Sequence, residues 1–519
     1  MDTGITRLIA WMIGKNCGGQ YTTLWVWPVL IIGVPLYLYV NLFAFPNIPF
    51  LLGGDQVYFW TGAQRMLHGE LIYQDFFGFT PPGTDLFYLA WFKLFGPHLW
   101  VTNVVVLLLG VALCWVCFSI SKLLMELDLA LLSTLIFLVL IYGSLLNATH
   151  HWFSLLAVMC AIRVLMPQRT SLRIAIAGGL LGLASFFTQT AGVMCVLALL
   201  LLFAWEGYCV KNARQTILGY QLLLIAVFGV VLSALNAYFI AKIGWKQLWA
   251  LQVVYPHYQA YWFGRFFPGL PEPLRLQRLP HLAPYLFVYG LLPVVYPLVL
   301  WYCWRERCNP KFENGMQLTL LSLVGLALLL EIIPAVNWLR VYTVSMPGVI
   351  LAVWAATRTN KLRPYVAVAG YILVVCLASQ QVWSKYNRDD RTIQLPAGKT
   401  VLSAQKYEQY FWIMKNTKPG DFFLAASWPG IYLPLALRSP MFAETLLNSE
   451  WTRPEYVELA VQQVDRKQVK YVLWSPRLDH PDDPTRPWED HLGPFRSYLK
   501  SRYRRVHVFS NDDEVWERE

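Results

Sequence analysis

Eleven apolar runs dominate this chain, and no other feature constrains its fold as much. Each is roughly 16 to 25 residues long, near what is needed to cross about 30 Å of hydrocarbon. They fall at 24–45, 99–120, 127–146, 150–167, 172–188, 190–206, 216–241, 283–304, 316–334, 341–357 and 365–382. A single soluble core could not absorb them, because 56% of the 519 residues are hydrophobic and only 14% are charged. The expectation is a polytopic α-helical membrane protein. The weakest break between runs is "SFFTQT" at 185–190.

Charge placement gives the orientation. With the N-terminus inside, the inner segments carry Arg7 and Lys15, then Lys122, then Arg163, Arg169 and Arg173, then Lys211 and Arg214, then Arg305, Arg307 and Lys311, then Arg358, Lys361 and Arg363. The turns assigned outside, "NATHH" (147–151) and 185–190, contain no Lys or Arg, which is the positive-inside pattern. The first loop, the long 242–282 loop and the C-terminal tail are therefore expected outside, in a multi-pass protein of the cell's inner (plasma) membrane. The formal charge of +11 needs no nucleic-acid partner, since the basic residues are scattered in short inner clusters. No cleavable signal peptide is evident, and the first apolar run reads as an anchor. The nine cysteines avoid the outer segments, so disulfides are not expected. Cys114 and Cys117 sit in an apolar helix and read as core.

After residue 383 the texture changes to short apolar runs separated by Pro, Gly and charge. "DFFLAAS" (421–427) and "KYVLWS" (470–475) read as buried strands, 403–417, 454–468 and 488–501 as amphipathic helices, and "RRVHVFS" with "DEVWER" as a final strand pair. Two domains are expected: a transmembrane domain over 1–382, with a first outer loop at 46–98, and a small extracytoplasmic α/β domain over 383–519. The latter shows no glycine-rich phosphate loop or metal-ligand cluster, and its expected role is packing or guiding an acceptor.

The first outer loop is too polar to span a bilayer yet rich in Phe, Tyr and Trp, so interfacial helices are expected there. "DQVYFWTGAQRMLHGE" has helical spacing, with Val57, Trp60 or Thr61, Gln64 and Leu67 toward one face and Gly69 as a stop. Asp55 then stands at the helix start. It reads either as an N-cap or as a functional carboxylate.

The order and spacing of Asp55, Tyr58, Ala63, Leu67, Gly69, Tyr73, Asp75, Phe76, Pro81, Pro82, Gly83, Phe95 and Gly96, placed directly after the first span, resemble the first outer loop of the GT-C membrane glycosyltransferases. The resemblance is to the protein O-mannosyltransferase and lipid A aminoarabinose transferase group. It implies a GT-C-like fold and transfer of a sugar from a polyprenyl-phosphate donor to an acceptor hydroxyl at the extracytoplasmic face, among membrane lipids. It also implies that Asp55 is the catalytic base, with inversion at the anomeric carbon. A carboxylate with a pKa of about 4 is ionised at neutral pH and can take the hydroxyl proton late in the displacement. The leaving lipid phosphate needs a cation; the outer candidates are Arg265, Arg340 and Lys242 or Lys246, with Arg265 and Arg340, both among aromatics, preferred.

Asp75 reads as a second carboxylate for acceptor or metal, or as a turn cap. His150 and His151 are secondary candidates, but neighbours on a helix diverge by about 100°, which is poor geometry for joint metal ligation. Gln189 and Glu331, in or beside apolar runs, point to a polar cavity or to a helix-fixing pair. No cofactor is required, and a divalent metal stays open. The aminoarabinose branch carries a lysine before its paired prolines, where this chain has Thr80, so the expectation is a general lipid-linked sugar transferase. A glycan polymerase or ligase is the alternative, supported by His257, Arg265, Arg275, Arg278 and His281 in the 242–282 loop. A lipid or solute transporter ranks below it, because no internal repeat is evident.

Overall fold

The computed structural model describes residues 24–209, 214–255, 290–307, 309, 312, 314–333, 338–359, 361–448, 452–479 and 490–519. They divide into two compact units, one drawn from 1–41, 107–237 and 265–386, the other from 42–106, 238–264 and 387–519.

The first unit is a set of apolar helices, and each of the eleven runs overlaps one of them. Among the described residues six helices are long and apolar enough to cross a membrane, Leu99–Ser121, Leu127–Leu145, Gln189–Tyr208, Gln215–Ile243, Gly315–Ile332 and Arg363–Tyr386. Val26–Leu42, His150–Leu165, Ser171–Phe187 and Met346–Thr357 are shorter apolar helices. The break at 185–190 is real, because Thr188 is extended between the Ser171–Phe187 and Gln189–Cys209 helices. Large apolar side chains such as Ile32, Leu201, Leu222, Val230 and Val375 point outward, as they must where the solvent is lipid. Close packing comes from small residues. A Cβ on Gly178 or Gly182, four residues apart, would lie 2.9 Å from the Leu224 carbonyl or 3.0 Å from that of Phe228, so this helix pair approaches at backbone distance through a GxxxG-type face. Cys114 and Cys117 are buried, consistent with packing.

The second unit is built as follows. Strands β1 (Phe43–Ala44) and β2 (Ile48–Pro49) form a short antiparallel pair, followed by helices α1 (Gln56–Leu67), α2 (Gly83–Phe95) and α3 (Trp245–Trp249). Then come the hairpin β3 (Asp390–Leu395) and β4 (Gly398–Ser403), α4 (Ala404–Asn416), β5 (Leu424–Ala425), α5 (Pro454–Arg466), β6 (Tyr471–Trp474), α6 (Gly493–Arg502), β7 (Tyr503–Val508) and β8 (Glu514–Arg518). The last four strands make one sheet in the order β5-β6-β8-β7, with β5 and β6 parallel and the other pairs antiparallel. Helix α5 covers it through Val457, Ala460 and Val464, a stripe at helical spacing that packs with Leu424, Val472, Trp474 and Phe495. Each fully buried aliphatic or aromatic side chain there contributes on the order of 1.5–3 kcal/mol.

The loop 46–98, assigned to the transmembrane domain, groups with the C-terminal segment, and that unit's C-terminal part begins at Asn387. Backbone pairing explains this. Phe50 bridges Val401 in parallel, Leu51 N–H donates to the Val401 carbonyl (2.8 Å), and Phe77 N–H donates to the Phe442 carbonyl (2.8 Å). A loop whose backbone is satisfied by that domain packs with it. The hairpin β3–β4 is written in "RTIQLPAGKTVLS", alternating residues around a Pro-Ala-Gly turn.

Candidate active site

Helix α1 begins as its sequence requires. Gly54 takes φ +75°, a conformation open to glycine, and turns the chain into the first helical residues. Asn103 holds the strands that lead there by donating to the Leu42 and Phe50 carbonyls at 2.7 and 3.0 Å. Asp55 occupies the N-cap position and is exposed, but its side chain makes no capping hydrogen bond. Instead, Gln56 Nε2 reaches back to the Gly53 carbonyl at 2.9 Å, and Val57 N–H donates to the Gly54 carbonyl at 3.1 Å. The bland reading of Asp55 as a helix cap therefore lacks its defining bond.

Expected to lie on a lipid surface with one face buried, α1 is buried nearly all round, from Gln56 and Val57 through Phe59 to Arg65. Arg65 explains how a helix with polar residues can be sunk this way. It is 5% exposed, donates to Glu70 Oε2 (2.7 Å), the Met441 carbonyl (2.8 Å) and the Asp75 carbonyl (3.3 Å), and lies 4.7 Å over the Phe76 ring. A buried charge is tolerable only when paired and hydrogen-bonded in this manner.

The other first-loop residues hold shape. Tyr73 is buried at φ +73°, a conformation costly for a tyrosine, and four contacts fix it. Its hydroxyl donates to the Thr80 carbonyl (2.5 Å) and accepts from Gln252 (3.0 Å), its N–H donates to Phe76 O (2.8 Å), and its carbonyl accepts from Gln247 (2.7 Å). Pro81 and Pro82 are buried at the start of α2, with Pro82 in the N-cap position. Tyr58 is half-buried, packs edge-on to Trp428 (5.5 Å between centroids), and shares a side-chain hydrogen bond with Thr445. Burial raises its phenol, with smaller contributions from Glu444 and Asp55. Asp75 Oδ2 accepts from Leu71 N–H at 2.7 Å, the turn-capping geometry.

Sequence reasoning missed two carboxyls. Asp85, 4% exposed on α2, faces α1 at Gly62, where a Cβ would come within 2.2 Å of its Oδ1. Burial, then the nearby Glu444, push the Asp85 carboxyl well above the usual range. Burial also pushes Glu444 up to about 8, opposed by Arg65. Neither carries a local sequence signal, since their environment is made by segments more than 350 residues apart.

In the first unit, His150 and His151 begin the His150–Leu165 helix, both buried. Their rings do not diverge as expected but lie 3.9 Å apart between centroids. Arg340, half-buried on the Trp338–Val344 helix, acts electrostatically on both histidines and on Glu331, whose Oε1 accepts from Thr190 at 2.5 Å. Arg265 and the residues His257, Arg275, Arg278 and His281 lie outside the described residues.

No protein-family model matches the sequence, and no curated protein matches it either. Solved structures do. ArnT from Cupriavidus metallidurans bound to undecaprenyl phosphate aligns at 13% identity and TM-score 0.59, covering 94% of this chain and 97% of that one. The Archaeoglobus fulgidus oligosaccharyltransferase AglB, in complex with an inhibitory peptide and a dolichol-phosphate, aligns at 13% identity and TM-score 0.53 over 96% of this chain and 75% of that one. The same enzyme with Zn and sulfate aligns at 14% and 0.53, over 94% and 73%. This chain has the GT-C fold. The topology expected from the first-loop motif is thus the one observed, at an identity where only the fold is shared.

Within that GT-C fold, Thr80 is 7% exposed and its carbonyl is taken by Tyr73, so it does not stand in for the lysine of the aminoarabinose branch. Among the described residues no group of three or more His, Cys, Asp and Glu side chains comes together, and the Asp75 carboxylate is bound to backbone.

Proposed function

We propose that this chain is an integral-membrane glycosyltransferase that moves a sugar from a polyprenyl-phosphate donor to an acceptor hydroxyl at the extracytoplasmic face. The observation that carries the reading is Asp55, exposed at the N-terminus of α1, at the position the GT-C loop motif gives its base. Two neighbours with this fold, ArnT and AglB, are structures with undecaprenyl phosphate and a dolichol-phosphate. That chemistry, transferred here as proposal, defines the donor.

In the reaction the acceptor oxygen attacks the anomeric carbon as the bond from that carbon to the phosphate oxygen breaks. The hydroxyl proton passes to the Asp55 carboxylate, and the electron pair leaves with the lipid phosphate. One in-line displacement inverts the anomeric centre. The N-terminus of α1 favours the charge on Asp55 through the aligned peptide dipoles of the helix. Arg340 is the proposed cation for the departing phosphate, as a guanidinium matches phosphate oxygens with a planar fork of donors. Arg265 has the same proposed role.

The test is transfer of labelled sugar from purified polyprenyl-phosphate donors. Asp55→Asn keeps shape but loses the base, and the rate should fall by about 10²–10⁴ with folding intact. An unchanged rate returns Asp55 to a structural part. Arg340→Gln and Arg265→Gln should raise the KM for donor, and normal donor kinetics in both would dismiss the phosphate assignment.

A further inference from the structure

A pocket of about 240 Å³ opens in the second unit, lined by Leu52, Lys406, Gln409, Trp428, Asn511 and Asp513 among others. Its volume lies just under the roughly 300–1,000 Å³ of drug-sized ligand sites, which suits one ring rather than a long chain. Its place is specific. Leu52 stands three residues before Asp55, so the two Cα atoms are within about 11 Å at full extension. Lys406 Nζ lies 3.9 Å from where a Gly53 Cβ would be, and Trp428 is the ring against which Tyr58 packs.

The lining has the composition that recognises a polyhydroxylated ring. Trp428 supplies an aromatic face, 39% exposed, and is folded over the chain at Gly430, where a Cβ would come 2.5 Å from its Nε1. The backbone beneath is fixed by Tyr410, whose hydroxyl donates to the Gly430 carbonyl at 2.8 Å. The same lining holds a planar polar group fixed in advance. Asp513 accepts from Gln409 Nε2 (3.2 Å) and Asn511 Nδ2 (2.7 Å), and its N–H donates to Asn511 Oδ1 (3.3 Å). Lys406 adds an ammonium donor to the lining. An apolar face for ring C–H groups, set beside oriented carboxylate, amide and ammonium groups for hydroxyls, favours neither a bare lipid tail nor a simple anion.

The geometry points to a sugar-binding subsite at Trp428, Gln409, Asp513 and Lys406 that seats a single ring of the acceptor beside Asp55. That the ring belongs to the acceptor rests on the transferase reading; that the pocket takes a sugar ring does not. The acceptor is therefore a glycan or glycoconjugate whose penultimate or neighbouring ring is held while its free hydroxyl reaches the base.

Saturation-transfer NMR on the full-length protein in detergent micelles, with methyl glucoside, galactoside and mannoside as probes, tests the pocket. At least one probe should bind, and Trp428→Ala should weaken it by about tenfold or more, the size expected for losing an aromatic anchor. Gln405→Ala, an exposed pocket residue whose loss leaves the core intact, should weaken it severalfold and keeps the test sound if Trp428→Ala does not fold. Asp55→Asn should bind the probe as wild type does, which separates this site from the catalytic reading. No binding of any probe to wild type, or wild-type binding by both pocket variants, overturns the subsite. In transfer assays Trp428→Ala should raise acceptor KM while donor KM stays constant, and an unchanged acceptor KM would remove the acceptor from the pocket.

Discussion

Two carboxyl-bearing regions of the second unit are built in opposite ways. At 53–58 the backbone does the structural work and Asp55 is left exposed. Across α1, where Gly62 meets α2 and the 438–446 segment, the side chains do that work. Asp85 is sealed in, Glu444 is part-buried beside it, and Arg65 ties three segments together. The contrast separates two uses of an acid. A carboxylate that is to accept a proton from substrate must stay hydrated and charged until substrate arrives, whereas a carboxyl enclosed in protein is driven toward its neutral form. Changes in the interior should therefore register as stability, and changes at the helix start as rate.

Arg65→Met is the strongest way to break this contrast. Removing the nearer of Glu70's two cations, with Arg438 left at 3.8 Å, and leaving two carbonyls without this donor should cost about 3–5 kcal/mol, read as a large drop in Tm of the full chain. If the melt is unmoved, the interior does not hold the unit together. Gly62→Ala comes next and sets two effects against each other. Alanine in a helix gains about 1 kcal/mol over glycine, but the new methyl collides with Asp85 Oδ1, and overpacking costs about 1–3 kcal/mol. A net loss is expected, relieved when Gly62→Ala is combined with Asp85→Ala.

Glu444 sharpens the comparison through pH. Its pKa in the folded protein is raised from 4.5 to about 8, so the folded chain keeps a proton that the unfolded chain has released. Stability on this account is greatest below the unfolded value and falls as pH rises from about 4.5 toward about 8. Thermal melts should show that decline in wild type and a flatter profile in Glu444→Gln. An equal decline in both would place the titrating group elsewhere. The smallest effect is expected of Asp75→Ala. Losing the bond to Leu71 N–H should lower stability by about 0.5–1.5 kcal/mol with transfer retained, and a collapse of transfer instead would give Asp75 a part in the chemistry.

Much of the architecture was legible in residue order because its causes are local. Apolar run length marks a span, and the stripe Val457, Ala460, Val464 marks a helix on a core. The weak break at 185–190 held because Thr188 leaves helical geometry there. The Gly54-Asp55 start of α1 and the Gly69 stop at φ +90° were readable for the same reason. The burial of α1 was not readable, since its apolar stripe looks like that of a surface helix until Arg65 finds Glu70 and Met441. Nor was the pairing of the two histidines, whose rings face each other despite the divergence that helical geometry alone gives.

What the sequence by itself determined was the many-helix apolar body, the α/β character of the tail and the position of one carboxylate at a helix start. These follow from periodicity, length and turn chemistry, which act over a few residues. Tertiary structure alone decided that the first loop packs with the C-terminal segment, that Asp85 and Glu444 share an interior, and that Trp428 and Asp513 line one pocket near Gly53. Those outcomes depend on burial and on hydrogen bonds between segments hundreds of residues apart, and such free energies exist only once the chain has closed on itself.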